Sequence, residues 1–301
     1  MESLDVSCNQ LTSIAGIEPL SALRELLVDQ NKVSILDLQL ILPRLEILSM
    51  NDNCLTVFDA KFWPRLRKLA LDRNSLERFL HEAHLRRLKY LSVRDQNTTD
   101  IQIDFSKLIG LSDLHVSNVH VGPMHEFHDT IFMRTLELQR ARITEIPREI
   151  MRRTQQLVHL NLRDNEISDL TALRHVKGLR SLCLARNRIA DFGNILKAVR
   201  KMTRLEVLDL RGNAVTERFY PSTDLDMADW ERVDEDFARA LCDADYVRRA
   251  YYRSSVISVL RGSLRLLDNV STAETDIEKA KVQLTKLRVS LRRSLNESRG
   301  P

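Results

Sequence analysis

Apolar and polar positions alternate in short runs along most of this chain. Leu160-Asn161-Leu162 and Leu208-Asp209-Leu210 are examples. Period-two alternation predicts a short strand with one buried face. Each run sits in one nine-residue frame, L-x-x-L-x-L-x-x-N, which recurs ten times between Met1 and Asn213. First positions fall at Met1, Leu23, Leu45, Leu66, Leu88, Leu111, Met133, Leu157, Leu179 and Leu205. Successive gaps are 22, 22, 21, 22, 23, 22, 24, 22 and 26 residues. No single short strand can hide its apolar side chains alone. Parallel stacking of successive frames can, at roughly 1.5–3 kcal/mol per fully buried Leu or Val.

This period and consensus predict an α/β fold, a leucine-rich-repeat solenoid. The concave sheet is parallel, the convex side carries short helices or 3₁₀ turns, and a helical cap ends the stack. Residues 38–41, 150–153 and 193–202 are the candidate return helices. Ten repeats span residues 1–213. A cap with an acidic insertion and a final half-repeat covers 214–270. A basic amphipathic helical tail follows over 271–301. Asn occupies position 9 in seven repeats: Asn9, Asn31, Asn53, Asn74, Asn165, Asn187 and Asn213. A carboxamide there can bond the backbone where the chain turns, forming a buried polar ladder. Gln96, Val119 and Ala141 interrupt it. A one-residue bulge would let Asn97 replace Gln96, whereas Val119 and Ala141 have no amide to offer. The least regular coil is expected between about residues 95 and 145.

Composition narrows the function. No run of eighteen apolar residues exists, so no transmembrane helix is expected. The first residues, with Glu2 and Asp5, do not read as a signal peptide. Cys8, Cys54, Cys183 and Cys242 are widely spaced and form no C-x-x-C pair, which points to reduced thiols in cytosol or nucleus. Met1 already occupies the first position of a repeat with no cap before it, so the chain is expected to be the C-terminal part of a longer protein; a natural start with an unusual or dimer-covered end is the alternative. The net charge of +4 is not a nucleic-acid-binding profile.

The distribution of charge is more informative. Position 7, on the concave face, changes from Asp29 and Asp72 to Arg94, Arg163 and Arg211. Position 8 adds Arg140 and Arg186, and position 3 adds Lys68 and Tyr90. One reading is a solvated face of mixed charge. The other is a partner-binding strip of Lys68, Tyr90, Arg94, Arg140, Arg163, Arg186 and Arg211. Guanidinium forks on such a strip suit acidic or phosphorylated protein segments.

After Asn213 the repeat stops. The acidic stretch that follows contains Trp230 and Phe237 as expected anchors. Helical spacing resumes over 244–260, with Val247, Tyr251, Ile257 and Leu260 as expected buried positions. Tyr252-Arg253, an apolar helix and then SLRLLDNV resemble the cap of protein-phosphatase-1 regulatory leucine-rich-repeat domains. That resemblance implies that Leu264, Leu267 and Val270 form a final half-repeat. The run ADWERVDEDFARALCDADYVRRAYYRSSVISVLRGSLRLLDNV is similar to fungal spindle-pole-body scaffolds of the septation-initiation and mitotic-exit network, related to animal centriolin. This second resemblance implies a protein-binding scaffold for cell-cycle signalling in the cytoplasm and cytoskeleton. A phosphatase-1 regulatory subunit is the alternative. In the tail, Ile277, Leu284 and Leu291 recur every seven residues, with Ala280 and Leu287 between. The seam is short, so packing onto the solenoid and pairing with a partner helix both stay open.

Catalytic chemistry is poorly represented. His115, His120, His125 and His128 have spacings that suit neither a helical ligand pair nor a zinc finger. Cys183 and His159 lack an orienting third group and an enclosed pocket. No glycine loop has phosphate-binding spacing. No cofactor, metal, nucleic acid or membrane is expected, and an enzyme with its site in the cap insertion is the remote alternative.

Overall fold

The computed structural model describes residues 1–36, 42–98, 101, 103–118, 131–221, 228–260 and 262–272. They form two compact units, Met1–Asn165 and Glu166–Pro301.

In the first unit the repeats supply strands β1 (Ser3–Asp5), β2 (Glu25–Leu27), β3 (Ile47–Ser49), β5 (Lys68–Ala70), β7 (Tyr90–Val93), β8 (Asp113–Ser117), β9 (Thr135–Gln139) and β10 (His159–Asn161). They pair in parallel in that order. The register joins position 4 of each repeat: Leu4, Leu26, Leu48, Leu69, Leu91, Leu114, Leu136 and Leu160. From Leu26 onward these leucines are at most 1% exposed. The alternation therefore produces one apolar column per buried position. Behind the sheet, β4 (Val57–Asp59) and β6 (Arg78–Leu80) make a separate parallel pair. Phe58 on that pair packs 4.9 Å from Phe79 and 5.2 Å from Trp63. Helix α1 (Arg148–Arg153) lies on the expected return segment, while residues 38–41 fall outside the described residues.

The polar ladder works as a cross-link between coils. Asn74 Nδ2 donates to Met50 O in the preceding coil and to Leu71 O in its own, while its Oδ1 accepts from Leu55 N–H. Asn31 and Asn53 repeat the arrangement. Gln96 keeps it too. Its amide donates to Leu71 O at 2.8 Å and accepts from Leu76 N–H at 3.2 Å. The bulge expected to recruit Asn97 is absent, because one extra methylene still lets Gln96 reach both groups. Asn97 instead donates to Ser75 Oγ. At Ala141 the neighbour compensates: Asn165 Oδ1 accepts from both Ala141 and Ile143 N–H. Much of the stretch expected to be least regular, including residues 119–130, falls outside the described residues, and the sheet continues through the part that is described. β8 and β9, five residues each, are the longest strands described. Val119 lies outside the described residues.

Position 8 follows a rule that the hydrophobic pattern conceals. Cys8, Gln30, Asp52, Arg73, Asp95, Asn118, Arg140, Asp164 and, in the second unit, Arg186 and Gly212 all have φ between 50° and 69°. Each is the left-handed residue that turns the chain off its strand. The conformation costs a non-glycine residue roughly 1–2 kcal/mol, which the flanking ladder bonds offset.

In the second unit, β11 (Ser181–Cys183), β12 (Val207–Asp209) and β13 (Leu266–Leu267) pair in parallel. β13 then turns back as an antiparallel hairpin with β14 (Val270–Ser271). Asp268 and Asn269 both have positive φ, as a two-residue type I′ turn requires. Leu267 pairs with Leu208 and is fully buried, and Leu264 is 3% exposed. Val270, the third residue of the expected half-repeat, is half-buried. Return helix α2 (Phe192–Val199) overlaps the expected 193–202 segment.

Helices α3 (Trp230–Ala240) and α4 (Asp243–Val259) carry the cap. Trp230 is buried as expected and Phe237 is half-buried. Two of the four expected core positions on α4 are wrong: Val247 is 60% and Tyr251 45% exposed. The helix buries Tyr252 and Val256 beside Ile257, so its inner face is turned by about one residue from the sequence-based phase. The cause is polar. Tyr252 faces inward because its hydroxyl donates to the buried Asp268 carboxylate at 2.8 Å. The tail over 273–301 lies outside the described residues.

Candidate functional site

The open sheet face of the first unit carries a connected row of polar and aromatic side chains. Positions 3, 5 and 7 point away from the leucine columns. Lys68 Nζ stands 5.2 Å from the Tyr90 ring centroid, within cation–π range. The Tyr90 ring lies 5.1 Å from that of His115. His115 Nδ1 meets Glu137 Oε2 at 2.7 Å, because the strand register places these two residues side by side. Arg94 completes the row, with one guanidinium nitrogen 2.9 Å from Asp72 and another 3.9 Å from Glu137. The hydrogen bond from His115, helped by the Arg94 charge, holds the Glu137 carboxyl below its ordinary range against the opposing effect of burial. Burial works against the Arg94 charge, but its bonds to Asp72 outweigh that and raise its pKa.

Position 7 also has a structural use. Asp29 Oδ1 accepts from Asn51 N–H, Asn51 Oδ1 from Asp72 N–H, and Asp72 Oδ1 from Arg94 N–H. Asp72 is only 4% exposed. The expected acidic end of this face is thus largely engaged in tying coils together. On the middle coils Lys68, the Tyr90 edge and the outer side of Arg94 stay accessible, beside half-buried Asp113, while Asp5 is exposed on the first coil. Further along the unit, exposed Arg140 lies 3.5 Å from Asp164, and the less accessible Arg163 lies 3.2 Å from the same carboxylate.

In the second unit Arg186 is exposed and borders a cavity of about 520 Å³ with Arg188, Glu217 and Tyr220. Arg211 is a correction. It is 3% exposed, bonds Asp209 at 2.7 Å, and its guanidinium carbon stands 4.2 Å from the Trp230 ring centroid. The cap insertion covers it, so it braces the cap and cannot contact a partner. Position 7 alone could not reveal this, because the covering Trp230 lies outside the repeat. The structure therefore brings Lys68, Tyr90 and Arg94 together, keeps Arg140 and Arg163 on one carboxylate, and removes Arg211. The sequence reading missed Glu137. Its signal was the 22-residue spacing from His115, which places both at position 5 of adjacent coils.

Of the expected histidine group, His120, His125 and His128 lie outside the described residues. Among the described residues no cluster of three or more His, Cys, Asp or Glu side chains could hold a metal. Nor is any described helix long and apolar enough to cross a membrane.

Comparison with known proteins agrees with this architecture. Residues 133–189 match the family model described as leucine rich repeat. The chain is 30% identical over 162 residues to the septation initiation network scaffold protein cdc11 of Schizosaccharomyces pombe, covering 54% of this chain and 16% of that protein. It is 27% identical over 251 residues to leucine-rich repeat-containing protein 23 of Bos taurus, covering 82% of this chain and 66% of that one. The chain thus spans less than two thirds of either relative. Among solved structures, the functional domain of InlJ from Listeria monocytogenes superposes with a TM-score of 0.57 at 24% identity, over 70% of this chain and 45% of that one. That likeness shows the fold, a leucine-rich-repeat solenoid.

Proposed function

We propose that this chain is a non-enzymatic protein-binding scaffold whose leucine-rich repeats dock cell-cycle signalling partners at the spindle pole body, in septation initiation and mitotic exit. The observation that carries this reading is the identity with the fission-yeast septation scaffold. The open face of the first unit supports it. A long parallel sheet presents aromatic and cationic side chains on a rigid, ladder-braced backbone, which favours tight contact with an extended partner segment. Lys68, Tyr90, Arg94, Arg140 and Arg163 of that unit are the contact residues, and acidic or phosphorylated segments are the matching chemistry. Arg186 is retained as a contact on the second unit. Arg211 is not.

Pulldown of septation-network components from cell extract tests the reading. A chain carrying Lys68→Glu, Tyr90→Ala and Arg140→Glu should lose most of the captured protein while keeping its circular dichroism. Undiminished capture by that variant would refute the assigned surface.

A further inference from the structure

The first unit has a second, differently built surface along the edge where its strands begin. Register places Ile47, Lys68, Tyr90, Asp113 and Thr135 side by side. Three residues upstream of each stand Arg44, Arg65, Arg87, Gly110 and Phe132. The coils remain aligned out to this edge, because Arg67, Lys89, Ser112 and Arg134 N–H each donate to the matching carbonyl of the coil before. The first three coils also share one turn: Leu45 N–H donates to Leu42 O, Leu66 to Trp63 O, and Leu88 to Leu85 O. Arg44, Arg65 and Arg87 occupy the same exposed place in that turn.

These three arginines make no ion pair with any described residue, unlike Arg24 and Arg67 nearby, which share Glu46. Immediately beyond the arginines the edge becomes apolar. Ile109 is 44%, Ile131 53% and Phe132 50% exposed. Lys89 sits at the boundary. Its Nζ donates to Gly110 O at 2.9 Å and stands 5.5 Å from the Phe132 ring centroid. A Cβ on Gly110 would come within 3.2 Å of that Nζ. Among the described residues, charge thus stays unneutralised on three coils and apolar surface exposed on the next two.

We propose that this edge docks an extended acidic peptide segment that ends in large apolar side chains. Four inter-strand steps of about 4.8 Å make a row of about 19 Å, the reach of roughly six extended residues. Carboxylates pair with Arg44, Arg65 and Arg87, and the apolar end covers Ile109, Ile131 and Phe132. Charge and apolar surface are sorted along one narrow row, which suits a linear ligand better than a membrane plane. A nucleic acid would leave the apolar end unused.

The probe is a fluorescein-labelled hexapeptide of four glutamates followed by leucine and phenylalanine, followed by anisotropy with the full chain. It should bind, and more weakly at high salt. The triple variant Arg44→Glu, Arg65→Glu, Arg87→Glu should weaken binding about tenfold or more. Ile131→Ser with Phe132→Ser should weaken it about fivefold. All five positions are exposed, and circular dichroism checks that the fold persists. No binding by the parent chain, equal binding of a four-glutamine version, or full binding by the triple variant would overturn the proposal. So would tighter binding to phosphatidylserine vesicles or to a uridine 12-mer than to the peptide. This edge is separate from the open sheet face, so the peptide test and the pulldown fail independently.

Discussion

Replacing Asp268 with alanine removes the acceptor at the centre of the cap. Its carboxylate takes hydrogen bonds from Leu210 N–H at 2.7 Å, Tyr220 at 2.6 Å and Tyr252 at 2.8 Å. All three donors are buried, and each costs about 1–3 kcal/mol when left unpaired. The wild-type carboxylate has its own cost. Burial, with Asp209 nearby, pushes its pKa up from 3.8 to about 6. At 1.36 kcal/mol per unit, ionising it at pH 7 costs the folded state about 3 kcal/mol. The net loss on substitution by alanine is therefore about 3 kcal/mol at pH 7, within a range of about 0–6. The same numbers set a pH dependence. Between about 4 and 6 the folded chain holds a proton that the unfolded chain has released, so this group's contribution to stability falls as pH rises through that window and is level above it. Asp268→Asn cannot titrate. Wild type minus Asp268→Asn should thus be more favourable at pH 5 than at pH 7.5, by on the order of 1 kcal/mol. Urea unfolding, read by Trp230 fluorescence in a Trp63→Phe background, measures both. A gain in stability for Asp268→Ala at pH 7, or a difference that grows toward high pH, would refute the reasoning.

Other perturbations separate further parts of the fold. Asn74→Ala takes the partner from Leu55 N–H and Met50 O, while Leu71 O keeps Gln96, and should cost about 2–4 kcal/mol by urea unfolding. Gly212→Ala should cost about 1 kcal/mol or more in the same assay, because φ is +69° and the new Cβ would stand 2.9 Å from the Arg186 side chain. On α4, Val247→Asp should change the melting temperature little, whereas Ile257→Asp should abolish a cooperative cap transition in calorimetry. Equal effects at those two positions would mean that the helix presents a different face.

The repeats were legible because each buried column obeys a strict local period. Leu26, Leu48, Leu69 and Leu91 share a register, and any other pairing would expose a leucine. Gln96 shows where such reading fails. Consensus treats it as a lapse, yet the ladder needs only an amide within reach, and Gln96 supplies one. The cap was half legible. Leu264 and Leu267 follow the repeat logic, but the phase of α4 depends on Asp268, which draws Tyr252 inward from far along the chain. A hydrophobic period cannot see a polar acceptor that arrives from another element. Arg211 was misread for the same reason, since Trp230 covers it from outside the repeat.

The charge of the open face follows from the same distinction between local and non-local use. By composition, Asp29 and Asp72 should offset Arg94, leaving a mixed surface. In the fold, Asp29 binds Ser49 Oγ and Asn51 N–H, while Asp72 binds Ser92 Oγ and Arg94 N–H. Their oxygens face the coils that they join, and Asp72 is almost wholly buried. Glu137 is held by His115 in a similar way. These carboxylates act as internal braces, whereas exposed Lys68 lies over the half-buried ring of Tyr90. Positions 3, 5 and 7 of the first unit carry six acids (Asp5, Glu25, Asp29, Asp72, Asp113 and Glu137) and three bases (Lys68, Arg94 and Arg163). With Asp29, Asp72 and Glu137 engaged, a partner at the middle coils meets Lys68 and the Tyr90 edge, flanked by exposed Asp5 and half-buried Asp113. Neutralising a brace such as Asp72→Asn should disturb binding mainly by loosening the sheet, while Lys68→Glu should do so with the sheet intact.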